Sequence, residues 1–215
     1  MEEEIEKKLK EAIVNIRNLN SAYNKLGLEM LKAYDGKMYP MDLFVVAALN
    51  RAEHLVTAFC DLVEKKNFLV AAPVLRMQLD TLFRLRAAWL VENPSDLVMD
   101  VLRGIPIKEL IDRSGKKMND RYLVDSLCEE CPELKSIYER TCSYVHLSDQ
   151  HFFTAIEKIG DDKIVDIKAN DSSDNIPAKT YLEICSAFFQ ISGIIMSYVK
   201  GWTITKDGKM SKSQI

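Results

Sequence analysis

The sequence predicts an all-α fold, a bundle of four or more long helices carrying one small β-hairpin near residues 152–168. Three observations predict it. Apolar residues recur every three to four positions over long stretches, the period of a helix with one buried face. Clusters of Gly, Pro, Asn, Asp and Ser separate those stretches, although the chain holds only eight glycines and six prolines. The connections are short, which makes successive helices neighbours in space.

Residues 2–34 read as one amphipathic helix, with Ile5, Leu9, Ala12, Ile13, Ile16 and Leu19 at helical spacing and Gly27 as a kink or an end. Asp35-Gly36-Lys37 is a turn, and Pro40 opens a second helix over 41–66 that Asn67 ends. A third helix covers about 71–92, with Pro73 tolerated in its first turn. Asn93-Pro94-Ser95-Asp96 is a stop followed by a new N-cap. Short helices are expected at 95–102, 107–112 and 119–129, with a loop at Ser114-Gly115-Lys116-Lys117. Pro132 starts a helix over 133–147. The period then shortens, so that 152–159, a Gly160-Asp161-Asp162 turn and 163–168 read as the hairpin. A polar loop at 170–175 precedes the last long helix, 176–201. Residues 1–202 form one domain, and 203–215 a polar C-terminal tail.

At 215 residues, 47% hydrophobic and 28% charged, the chain can bury a core. Its net charge of −3 excludes a global basic field, so any RNA contact must be local. Met1 to Lys10 is charged throughout and is no signal peptide. Tyr181 to Val199 is strongly apolar but contains Glu183, Gln190 and three serines, the mark of a buried helix or a subunit interface rather than a membrane span. Five cysteines without a framework spacing fit free thiols in a reducing cytosol. The expectation is a cytoplasmic protein with no cofactor and no membrane partner.

Several polar positions ask for an explanation. On the second helix Asn50, His54, Thr57 and Asp61 form a line opposite the apolar face. It is either a solvated face or the wall of a ligand or metal pocket built on Asn50, His54 and Asp61. On the third helix Arg76, Asp80 and Arg84 are spaced as a salt-bridge ladder. Arg86 falls inside the apolar stripe and requires a carboxylate or carbonyl partner, unless its head reaches water.

The 133–147 helix carries Leu134, Ile137, Tyr138, Thr141, Tyr144 and Val145 on its apolar side. Glu139, Arg140, Ser143, His146 and Leu147 point the other way. Arg140 and His146 flank Ser143. They can act on one phosphate if a partner surface closes over them, which a symmetric homodimer provides; otherwise they are an exposed polar face. Gly193 and Ser197 on the last helix permit close approach of such a second copy. A rival use of the same region is zinc binding by Cys128-x-x-Cys131 with Cys142-x-x-x-His146. His151 is a candidate cap for the helix end or the hairpin.

The stretch Arg140-Thr-Cys-Ser-Tyr-Val-His146 resembles the motif of the HEPN superfamily of helical bundles, an arginine and a histidine separated by four to six residues. The surrounding Ile137-Tyr138 and Ser143-Tyr144-Val145-His146-Leu147-Ser148 also look like an uncharacterised group of bacterial helical proteins. That group shows an Arg-x-x-x-acid element, here Arg76 and Asp80. The resemblance implies a homodimer with a metal-independent RNA-cleaving site at its interface, in a defence or toxin system, or a catalytically silent relative. His146 would be general base, Arg140 would stabilise the phosphorane, and Ser143 and Tyr144 would support them. Thr141 follows the arginine where family members often carry Asn, Asp or His. The reading from a different class is a non-enzymatic interaction module that binds a partner protein. Residues 209–213, Lys-Met-Ser-Lys-Ser, match a signature loop of class I aminoacyl-tRNA synthetases, but no alternating strands and helices surround them, so the match is coincidence.

Overall fold

The computed structural model describes residues 2–146, 148, 151–152, 155–159, 165–167 and 176–208. The chain is mainly helical. The helices are α1 (Glu2–Arg17), α2 (Leu19–Lys32), α3 (Pro40–Glu64), α4 (Phe68–Leu90), α5 (Pro94–Leu102), α6 (Asp120–Cys128), α7 (Glu133–Val145) and α8 (Ala178–Lys206). The expected hairpin lies partly outside the described residues. Of it, β1 (Ile156–Ile159) and β2 (Val165–Ile167) pair antiparallel, while His151 and Phe152 are helical.

Helices α3 and α4 fold back on each other, and α8 packs along α1, α2 and α4. Helix α7 lies against α4 and α6, and α5 against α3 and α4. Helix α4 is therefore covered on several sides, which is why Ala71, Leu75, Leu79, Leu82, Phe83 and Ala87 are all buried. Each large apolar side chain removed from water contributes about 1.5–3 kcal/mol. Helices α3 and α8 are long and apolar enough to cross a bilayer by length and composition. Here Val45, Phe59, Phe188 and Ile195 on them build the bundle core.

The first helix breaks at Asn18, not at Gly27. Gly27 lies within α2, where a Cβ would come 3.3 Å from Leu49 Cδ1, so its smallness lets α2 approach α3. Helix α4 starts at Phe68, three residues early, because the Asn67 side chain accepts from Val70 N–H and caps it; Pro73 then falls beyond the first turn. In place of a helix over 107–112 there is one 3-10 turn, Ile107–Glu109. Asp112 is instead drawn into a loop, where its carboxylate accepts from the Ser114 and Lys116 N–H groups and from the Ser114 and Tyr122 hydroxyls.

The largest departure is at the end of the chain. The last helix does not stop at Gly201 but runs through Lys206, and Trp202 is core. Its Nε1 donates to Asp42 Oδ1 at 2.7 Å. Lys206 Nζ lies 3.1 Å from Asp42 Oδ2, with both side chains fully buried, and donates to Met30 O at 3.1 Å. Residues 209–213 are outside the described residues. A second buried polar junction sits mid-bundle, where Gln78 Nε2 donates to Tyr23 Oη and Ser192 Oγ, each at 3.1 Å, tying α4 to α2 and α8. Burial pushes the Tyr23 phenol up to about 12, and its hydrogen bonds with Ser192 and Gln78 only partly offset that.

Lys206→Met should lower unfolding free energy by about 3–5 kcal/mol in urea titrations, because it leaves the Asp42 charge buried without its cation. An unchanged midpoint would mean that the pair does not hold the helix end. Asp112 supplies a pH test. Burial alone would raise its pKa, but the donors from Tyr122, Lys116 and Ser114 outweigh that and hold it at about 2, against 3.8 for a free side chain. The carboxylate therefore stabilises the fold above pH 3.8, and that contribution fades as pH falls towards 2. Asp112→Asn should flatten the acid limb of stability over this window in pH-jump denaturation.

Candidate functional site

Helix α7 turns Leu134 and Thr141 fully inward and leaves Ile137, Tyr138 and Tyr144 half-buried against the bundle. Val145, expected on the apolar side, is exposed instead, at the residue where the helix ends. Arg140 and His146 are exposed as well, and Ser143 is half-buried. The Ser143 hydroxyl is used locally, donating to Arg140 O at 2.8 Å. His146 is the C-cap residue of α7 in extended conformation. Beyond it, His151 Nδ1 accepts from Ser148 N–H at 3.2 Å, so His151 shapes the turn that follows the helix.

Arg140 and His146 are six residues apart. At about 100° and 1.5 Å per residue this places them about 120° apart around the axis and about 9 Å apart along it. The extended backbone at His146 then takes its side chain out of the helical series. The ion pair that the structure gives Arg140 is with Glu183 on α8, at 3.6 Å, with side chains 69% and 47% exposed.

Between these two residues an open groove of about 360 Å³ runs among α4, α7 and α8. Phe68, Ala72 and Leu75 form its floor, and Ile137, Tyr144 and Ile184 its walls. Phe68 and Leu75 belong to the bundle core, so the floor is preformed. Tyr144 is set edge-on to the Phe68 ring, at 5.4 Å and 81°. Arg140, Glu183, Ser186 and Gln190 make the rim. Gln190 Nε2 donates to Glu133 Oε1 at 2.7 Å, a contact that joins α8 to the start of α7. Sequence reasoning missed Glu183, Gln190 and the groove floor as site residues. The polar residues within the apolar stretch at 181–199 were the available signal.

The other candidate positions lie away from the groove. Arg76 does not pair with Asp80. It lies over the Tyr138 ring at 4.5 Å and approaches Asp120 at 3.9 Å, since α6 brings a carboxylate that the ladder spacing cannot foresee. Asp80 instead pairs with Arg84 at 2.8 Å and Arg51 at 3.5 Å, and Arg84 also reaches Asp120 at 2.7 Å. Arg86 has the partners it requires in Glu130, the Ser126 carbonyl and hydroxyl, and Tyr198 Oη. Asn50 and His54 are exposed. Thr57 meets Asn20 at 3.3 Å, and Asp61 pairs with Arg17 at 2.9 Å, so that exposed line is tied to α1 and α2.

The zinc rival does not assemble. Among the described residues no three His, Cys, Asp or Glu side chains converge as a metal site. Burial pushes the Cys128 and Cys131 thiols up, away from the thiolate form that a metal takes.

The chain matches no family model, no curated protein and no solved structure.

Because Arg140 is largely exposed and its pair with Glu183 is loose, Arg140→Ala should change unfolding free energy by less than about 1 kcal/mol. Chemical denaturation checks this. A larger loss would make Arg140 a structural residue and disqualify it as a clean functional probe.

Proposed function

We propose that this protein is a HEPN-like, metal-independent endoribonuclease, working in the cytosol as a homodimer in which Arg140 and His146 of two copies meet. The observation that carries the reading is that both residues are exposed at the C-terminal part of α7, with Arg140 on the rim of the open groove. Arg140 lies within α7 and His146 at its C-cap, both exposed on one copy, and a two-fold partner presents a second Arg140–His146 set. The outer face of α8 supports close approach of that partner. A Cβ at Gly193 would meet nothing within 4 Å, Ser197 is exposed beside it, and Phe189 is 47% exposed.

In this reading neutral His146 accepts the proton of a ribose 2′-hydroxyl, and O2′ attacks the adjacent phosphorus. Arg140 neutralises the charge of the phosphorane, the 5′-oxygen leaves as it takes a proton from water, and His146 returns its proton to solvent. The products carry 2′,3′-cyclic phosphate and 5′-hydroxyl ends. The chemistry requires no metal.

The Arg140–Glu183 pair favours a second reading, because it half-neutralises the cation within one chain. The protein would then be a silent relative or an interaction module that binds a partner protein.

With a mixed RNA pool in EDTA, the parent should cleave and leave 2′,3′-cyclic ends, while His146→Ala and Arg140→Ala should each lose about 10²–10⁴-fold in rate. Absence of cleavage by a parent that sediments as a dimer would establish the interaction module instead.

A further inference from the structure

We infer that the groove between α4, α7 and α8 is a base-selecting subsite for guanine, with Glu183 reading the base and Arg140 holding the attached phosphate. The inference rests on RNA being the substrate class.

A nucleobase has apolar faces and a polar edge, and single-stranded bases are recognised by burying the first and hydrogen-bonding the second. The groove has the matching division. Its floor is Phe68, Ala72 and Leu75, its Tyr144 wall offers a ring, and its polar atoms lie on the rim. About 360 Å³ is at the lower end of the range of about 300–1,000 Å³ usual for small-molecule pockets, and a single base needs no more.

The rim carries opposite charges on one side, Arg140 and Glu183, 3.6 Å apart. That separation is beyond a hydrogen bond, so the two can part around a ligand at little cost. A guanidinium suits a phosphate. An ionised carboxylate accepts only, and so it requires adjacent donors. Guanine alone offers two, N1–H and N2–H, side by side on its Watson–Crick edge. Adenine and cytosine place an acceptor next to their amino group, and uracil has one donor between two acceptors. Those lone pairs would face the Glu183 carboxylate, a repulsion that rejects the wrong base as strongly as the right one is held.

The test uses His146→Ala protein, which cannot turn RNA over in the proposed scheme, and calorimetric titration with 3′-GMP, 3′-AMP, 3′-CMP and 3′-UMP. 3′-GMP should bind about tenfold or more tighter than the others, as one bidentate contact implies. Glu183→Gln should erase that preference while leaving phosphate-driven binding. Ala187→Trp, which fills the groove, should abolish binding of all four. Equal affinities, no binding, or a guanine preference that survives Glu183→Gln overturns the inference. These outcomes do not depend on cleavage. An enzyme that cleaves RNA in EDTA without guanine preference defeats the subsite and leaves the nuclease reading intact. A protein that binds 3′-GMP selectively but cleaves nothing does the reverse.

Discussion

The buried Asp42–Lys206 pair is the constraint on which the arrangement of the bundle depends. One carboxylate closes the start of α3 by accepting from Tyr39 N–H, takes the Trp202 indole, and neutralises Lys206. The ammonium in turn satisfies Met30 O at the end of α2. Three helix ends thus converge on two charges that are costly to bury apart and tolerable only together. A one-residue slip of α8 would rotate Lys206 by about 100° and strand both charges. The register of the last helix is therefore specified electrostatically at one end, while Phe188, Ile191 and Ile195 supply apolar contact along its length.

That register reaches the groove. Glu183 lies about 35 Å up the same helix from Lys206 at 1.5 Å per residue. The Gln78–Tyr23–Ser192 junction holds the middle of α8 in phase with α4. Tyr181, which donates to Lys66 O at 2.6 Å, holds the first turn of α8 against the α3–α4 connection. The face presenting Glu183 and Gln190 to α7 follows from these three points. A buried polar contact tolerates no translation, whereas apolar packing alone would allow the helix to slide.

Helix α7 is held differently. Its inward residues are few, and its outer edge meets α8 only through side-chain pairs such as Glu133–Gln190 and Arg140–Glu183 among the described residues. Arg140 and Glu183 accordingly form a loose surface pair rather than a buried one. Loose charges at the rim of a rigid apolar floor can exchange partners when a ligand or a second copy arrives, whereas the satisfied Arg86 and Arg84 networks cannot without loss.

The sequence by itself determined the helical class, the stop and new cap at 93–96, the demand of Arg86 for a partner, and the outward placement of Arg140 and His146. These follow from local rules: the 3.6-residue period, side-chain capping and the cost of an unpaired buried charge. Local rules also misled at Thr203 to Lys206, where polar neighbours suggested a tail. The partner that buries Lys206 is Asp42, far away in sequence. Of the ladder expected of Arg76, Asp80 and Arg84, the Asp80–Arg84 step forms, while Asp120, Arg51 and Arg17 reach Arg76, Asp80 and Asp61 only in the folded chain. The groove itself could be decided only by tertiary structure. It exists because α4, α7 and α8 are adjacent, and adjacency is a matter of which faces bury together, which helical periodicity does not encode.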